Sequence, residues 1–208
     1  PIPFIARFAW REHRKAKWHH QFKYNVLAIE IPKENEQSIR AVEHMFYQFG
    51  STREAPNFKE KWIDGAFVLP LSLEIVSING FVQFIIRTPE RYRDHVEAAL
   101  YAQYPNAIIT EVEDYAAKLP KHWPNEKYEM FGTELVQANK GAFPIRTYPH
   151  FEHQLSQTYS DPMAAILEAM SKLKAGEQTW IQMVITPLPH SWQHEFQGVV
   201  KKLIGAKA

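Results

Sequence analysis

The chain has 208 residues, with 24 Lys or Arg against 23 Asp or Glu, for a formal net charge of +1. That length holds one large domain or two small ones, and 45% hydrophobic content excludes wholesale disorder. The chain has no cysteine, which excludes a disulfide framework, a thiolate zinc site, an iron–sulfur cluster and a cysteine nucleophile, and no apolar run reaches the roughly 18–20 residues of a membrane span.

Residue 1 is proline rather than methionine, which points to a chain processed, or cut from something longer. The opening PIPFIARFAWREHRKAKWHHQFK sets Arg7, Arg11, Arg14, Lys15, Lys17 and Lys23 against Glu12 alone, a local charge of +5. The other eighteen basic and twenty-two acidic residues leave −4 on the body, so the bulk +1 hides two regions of opposite sign. Phe4, Phe8, Trp10 and Trp18 are interleaved with the cations. Tryptophan among Lys and Arg is the composition that flanks a membrane span on its cytoplasmic side, with rings at headgroup level and cations on anionic lipid. Residues 1–21 are therefore expected to form a juxtamembrane leader. Its Arg7, Trp10, Arg11, Arg14, Lys15, Lys17 and Trp18 are the candidate contacts with the membrane surface. A solvated basic helix, a disordered arm or a nucleic-acid-binding arm would carry the same composition.

Residues 22–31 predict a strand ended by Pro32. After the polar turn PKENEQ, Ser38 reads as a helix cap, and Ile39, Val42, Met45, Phe46 and Phe49 form one helical stripe stopped by Gly50. Residues 51–65 read as a loop long enough to have a job or to be a flexible insert. Residues 71–78 and 81–87 flank Asn79-Gly80, the strongest short hairpin signal, because a type I′ turn needs positive φ at both central residues. Thr88-Pro89-Glu90 predicts a capped helix start, with Tyr92, Val96, Ala99 and Leu100 as the stripe. Residues 107–112 predict a strand. The order β-α-β-β-α-β is that of a ferredoxin-like α+β unit over residues 22–117.

Residues 118–128 (KLPKHWPNEKY) read as a linker. Residues 129–208 then predict a second, smaller α+β unit: strands over 129–137 and 143–148, a turn at Asn139-Lys140-Gly141, and a helix opened by Asp161-Pro162. A strand over 178–186 and a last helix capped by Ser191 complete it. Its final strand is expected beyond Ala208.

Among the eight glycines there is no phosphate-binding loop, no Gly-x-Gly-x-x-Gly and no nucleophile elbow, and His-Glu-x-x-His is missing too. The chain is therefore expected not to be an enzyme and to carry no cofactor. His190 with His194, and His150 with His153, are spaced to share a face or a loop, but two pairs fall short of the three or four ligands of a zinc site. No metal is expected. Glu111, Glu113 and Asp114 read as a solvated sheet edge, although Glu111 and Glu113 would share a strand face. Gly80-Phe81-Val82-Gln83-Phe84 echoes half of the RNA-recognition-motif signature. By parity Phe81, Gln83 and Ile85 share one face, and Val82, Phe84 and Ile86 the core. Phe81 and Gln83 are the candidate nucleic-acid contacts, against a body charge of −4 and a first strand lacking a second aromatic.

Several strings in order carry a family likeness: KYNVLAIEIPKENEQSIRAVEHMF, LSLEIVSINGFVQFIIRTPERYRDHVEAALYAQYPNAIITEVEDY, FGTELV, FPIRTYPHFE, DPMAAILEAMSKL and GEQTWIQMVITP. From about Lys23 to Pro187 the chain resembles the region preceding the motor domain in bacterial conjugative-transfer, type IV secretion-like ATPases, especially those of candidate-phyla bacteria. The most telling pieces are AALYAQYPNAIITEVEDY and DPMAAILEAMSKL, which are family idioms rather than catalytic motifs. The resemblance implies a membrane-proximal segment, this α+β region, and then a hexameric nucleotide-driven motor in the same or a partner polypeptide. The motor's phosphate-binding loop and its acidic partner are missing, so ATP hydrolysis carries over to no residue here. What carries over is assembly at the cytoplasmic face of the cell membrane: docking a motor ATPase domain or subunit, with a homo-oligomer in the assembled system.

Overall fold

The computed structural model describes residues 2–32, 39–138, 143, 161, 163–189 and 191–205. Five strands, β1 (Tyr24–Glu30), β2 (Leu71–Ile78), β3 (Phe81–Pro89), β4 (Ile108–Glu111) and β5 (Gln178–Ile185), form one antiparallel sheet in the order β4-β1-β3-β2-β5. Helices α1 (Ile2–His19), α2 (Ile39–Gly50), α3 (Arg93–Gln103), α4 (Ala164–Ser171) and α5 (Trp192–Leu203) accompany it. The protein is α+β. The run β1-α2-β2-β3-α3-β4, with spatial order 4-1-3-2, is the ferredoxin-like arrangement.

The β2–β3 hairpin turns at Asn79 (φ 55°) and Gly80 (φ 84°), the positive pair that the Asn-Gly signal requires. Strand parity sends Leu27, Ile29, Leu71, Leu73 and Ile86 to one face. There they meet Met45 and Phe49 of α2 and Val96, Ala99 and Leu100 of α3. The expected stripes of α2 and α3 thus supply the core, except that Phe46 is partly exposed and the side chain of Ile39 lies outside the described residues. Phe84, expected in this core, is 49% exposed. It lies opposite Ile29 and Ile75, three residues from the hairpin turn and outside the cluster centred on Phe49 and Val96. The opposite face is buried at its centre as well, at Val26, Ala28, Val76 and Ile85, and holds the Glu74 carboxylate 3.4 Å from Arg87.

Thr88 does not cap a helix. It and Pro89 continue β3 opposite Asn25 and Tyr24, and a 3-10 turn at Glu90–Tyr92 precedes α3. Strand pairing captures the hydroxyl-bearing residue before a helix can use it. α4 starts at Ala164, past Asp161, with Met163 at its N-cap position.

β5, expected in the second unit, pairs along its length with β2, from Leu71↔Ile185 to Ile78↔Gln178. The contacts around it are specific. The Ser77 hydroxyl donates to the Met170 carbonyl at 2.7 Å, and the Gly176 N–H donates to Asn79 Oδ1 at 2.7 Å. The chain accordingly divides into Pro1–Val112 with Met163–Leu188, and Glu113–Pro162 with Pro189–Ala208. In the latter, Asp114 caps a 3-10 turn at Tyr115–Lys118, and α5 is the other regular element among the described residues. Residues 129–137 form no strand, and among the described residues none pairs with them in a ladder. Phe131 and Leu135 are 90% and 92% exposed. Ser38, the turn at 139–141 and most of the strand expected over 143–148 lie outside the described residues.

Candidate functional site

The basic leader is a helix from Ile2 to His19, with Lys17 and His19 in the last turn, where the negative end of the helix dipole favours cations. Arg7, Arg11, Arg14 and Trp18 recur at helical spacing, and all four face the chain's own segment 60–67. The guanidinium carbons of Arg7 and Arg11 lie 5.0 and 5.1 Å from the Trp62 ring centroid. Arg14 Nε donates to the Ile63 carbonyl at 2.7 Å and lies 3.7 Å from Asp64. Trp18 packs between Phe22 and Phe67 at 4.6 and 5.1 Å, and His19 stacks on Phe67 with Nε2 3.1 Å from the Tyr24 hydroxyl.

Residues 51–65, left between a job and a flexible insert on sequence grounds, are an ordered clamp on this helix. Asn57 Oδ1 accepts from the Glu60 N–H and Glu60 Oε2 accepts from the Asn57 N–H, at 2.9 and 2.8 Å. This is a reciprocal capping box, for which Asn-x-x-Glu is the sequence signal. A single π-type turn follows at Glu60–Asp64 and ends at Gly65, with φ 80°. A Cβ on Gly65 would lie 2.5 Å from the Arg14 carbonyl carbon, so the close approach of loop to helix depends on glycine.

The seven membrane-surface candidates thus separate. Arg7, Arg11, Arg14 and Trp18 are engaged within the protein. Lys15 pairs with Glu12 at 2.8 Å, and Trp10 and Lys17 are exposed. The division follows the chemistry of the cations: planar, weakly hydrated guanidinium stacks on indole and forks to carbonyls, whereas ammonium stays hydrated. Ile5 and Phe8 are exposed as well, so the helix shows apolar groups outward and arginines inward.

A cleft of about 690 Å³ opens between the C-terminal half of α1, the segment 54–69, and Arg91 with Tyr92. Lys17 and Gln21 line it. Arg91 pairs with Glu54 and lies 5.7 and 5.1 Å from the Phe22 and Tyr92 rings. Burial raises the Tyr92 hydroxyl pKa against the lowering effect of Arg91. Burial, and then Tyr92, raise that of Tyr24 against Arg87. Both phenols therefore stay neutral near pH 7.

The nucleic-acid candidates divide too. Phe81 is 64% exposed and Gln83 half-buried, but Ile85 on the same face is buried, as are Val76 and Glu74 opposite Gln83 and Ile85. One exposed ring at the end of a covered face is not the stacking platform expected of that motif. The acidic residues are used structurally: Glu111 accepts from Asn25 at 2.9 Å and pairs with Arg93, while Glu113 pairs with Lys118 at 2.6 Å. The Asn25 hydrogen bond and then Arg93 hold the Glu111 carboxyl below its ordinary pKa, and Lys118 does the same for Glu113. Among the described residues no three His, Asp or Glu side chains are grouped to hold a metal, and no helix is long and apolar enough to cross a membrane. His150, His153 and His190 lie outside those residues, as does the side chain of His194. Comparison with protein-family models, curated proteins and solved structures finds no match to this chain.

Proposed function

We propose that this chain is a non-catalytic assembly and docking domain at the cytoplasmic face of the cell membrane, in a type IV secretion-like or conjugative DNA-transfer ATPase system. The observation that carries the reading is the exposed surface of α1 on either side of its arginine face, with Ile5, Phe8 and Lys15 on one flank and Trp10 and Lys17 on the other. Apolar and aromatic groups that enter the lipid interface, flanked by ammonium groups that meet anionic headgroups, are the chemistry of an interfacial helix. The resemblance to pre-motor regions supports the assembly role. It makes the partners a motor ATPase domain or subunit and further copies of this chain. The motor's hydrolysis belongs to that partner domain, and no residue here is given a catalytic part.

The test is flotation of the full chain with phosphatidylcholine vesicles, with and without phosphatidylglycerol. Binding is expected only to the anionic vesicles. Raising salt is expected to release it, since the Debye length falls to about 10 Å at 0.1 M. Lys15→Glu and Lys17→Glu each remove an attraction of about 1 kcal/mol and add a repulsion, so the pair weakens binding at least tenfold. Binding indifferent to lipid charge, salt and both variants would overturn the reading.

The exposure of Phe81 supports a second reading, a nucleic-acid-binding module. It requires single-stranded RNA or DNA binding at low salt that Phe81→Ala weakens by the ~1–3 kcal/mol of one stacked base. No detectable binding by the parent chain ends it.

A further inference from the structure

We propose that segment 58–63 is a second membrane-contact element, whose Phe58 and Ile63 enter the lipid interface together with Ile5 and Phe8 of α1. This rests on the membrane-docking reading above and gives the long loop its role. Phe58 is 79% exposed and Ile63 is 52% exposed, although both belong to a segment fixed by the Asn57–Glu60 capping box and the Gly65 approach to Arg14. The segment is therefore an ordered one that displays an aromatic ring and an aliphatic side chain to solvent. Its third large apolar residue, Trp62, is the one that faces α1.

Continuity with the helix is direct. The Phe58 and Trp62 rings are 6.1 Å apart, and Trp62 carries the guanidinium groups of Arg7 and Arg11. Phe8 lies one turn before Arg11, and Ile5 one turn before Phe8, along the same flank of the helix. Isolated exposed hydrophobics are ordinary on a soluble surface, but several large ones on two elements clamped together form a patch that calls for a cover. The charge identifies the cover. Lys59 and Lys61 lie between Phe58 and Trp62, are exposed, and make no ion pair among the described residues, while Glu60 between them accepts from the Asn57 N–H. With Lys15, seven residues after Phe8 on the same flank, they rim the patch with ammonium groups, the complement of an anionic headgroup layer rather than of a second copy carrying the same lysines. Arg7, Arg11 and Arg14 then act as positioning residues. They hold the loop on the helix so that both elements meet the membrane as one surface.

The full chain has no cysteine, so Phe58→Cys, Phe8→Cys and the control Tyr47→Cys each give a single labelling site for an environment-sensitive fluorophore. Tyr47, on α2, is 83% exposed. On vesicles of phosphatidylcholine with phosphatidylglycerol, labels at positions 8 and 58 are expected to shift to the blue and brighten, and the label at 47 is not. The double variant Phe58→Ser with Ile63→Ser is expected to partition onto these vesicles roughly tenfold more weakly, the order of the apolar burial removed. Both side chains are exposed, so folding is retained. A shift at position 8 with none at 58 overturns this inference and leaves the membrane reading standing. No shift at either position overturns both. A shift at 58 that grows with protein concentration in the absence of vesicles assigns the patch to a second copy and overturns the inference.

Discussion

Gly65 ties the local backbone to the position of α1. Its φ of 80° is a conformation that side chains with a Cβ rarely adopt, and the space a Cβ would need is filled by the Arg14–Lys15 backbone. Gly65→Ala therefore costs about 1–3 kcal/mol of backbone strain before any clash is relieved. The expected outcome is faster amide exchange over residues 7–18 while the central strands keep their protection. Unchanged exchange in α1 would show that the loop does not hold the helix. A second residue-level effect belongs to Glu111, whose lowered pKa reflects the Asn25 hydrogen bond first and Arg93 second. A carboxyl with a lowered folded-state pKa adds stability that is present above its ordinary value and is lost as pH falls through the lowered one. Arg93→Gln should move the Glu111 midpoint upward, part of the way to its ordinary value, because Asn25 remains. A carboxyl NMR titration that leaves the midpoint in place would contradict the assignment of Arg93 as a cause. Local chemistry of this kind was unevenly legible. Asn79-Gly80 announces its turn because no other pair fits it so well, and Asn57-x-x-Glu60 announces its capping box just as clearly. The inward pointing of Arg7 and Arg11 had no local sign, since it depends on a tryptophan far along the chain.

At the scale of the element, apolar spacing located the inner faces of α2 and α3, because burial against a sheet leaves a periodic trace. It misled over residues 129–137. EMFGTELVQ has the composition of a strand, yet a strand exists only where another edge accepts its hydrogen bonds, and none does among the described residues. The segment runs without regular structure, with Phe131 and Leu135 almost fully in solvent. Exposed backbone of this kind is where proteases cut first. Brief chymotrypsin treatment of the native chain is expected to cleave after Phe131 well before any site in β1 or β3, with the fragments identified by mass spectrometry. Resistance at Phe131 would mean that the segment is covered in solution. α1 is the opposite case: its basic, aromatic composition was legible, but composition does not fix which face turns inward. The arginines took the inner face because indole, carbonyl and carboxylate groups of the loop give their guanidinium groups partners that water does not surpass.

For the whole molecule the decisive fact is the fifth strand. The proline-bearing stretch at 118–128 looked like a boundary, and local patterns on either side of it suggested two independent units. Sheet order is not chain order, however, and the pairing of Ile75 with Ile181 leaves no trace in either local sequence. α4 and β5 return to the first sheet and cover the outer edge of β2. That edge is eight residues long and has Glu74 as its one charge. Without β5 it would be a bare, largely apolar template for association, with none of the lysines or prolines that usually protect such edges. It follows that residues 1–117 are not a complete folding unit, although they contain all six ferredoxin-like elements. That fragment is expected to aggregate, or to melt well below the full chain, because it loses the β2–β5 ladder, the Ser77–Met170 hydrogen bond and the cover over Leu71 and Val76. Light scattering after size-exclusion chromatography, with thermal unfolding followed by circular dichroism, reads both outcomes. A monomeric fragment with the full chain's melting temperature would show that β5 is an accessory strand. If the fragment fails, the sheet is complete only when the chain returns to it with β5.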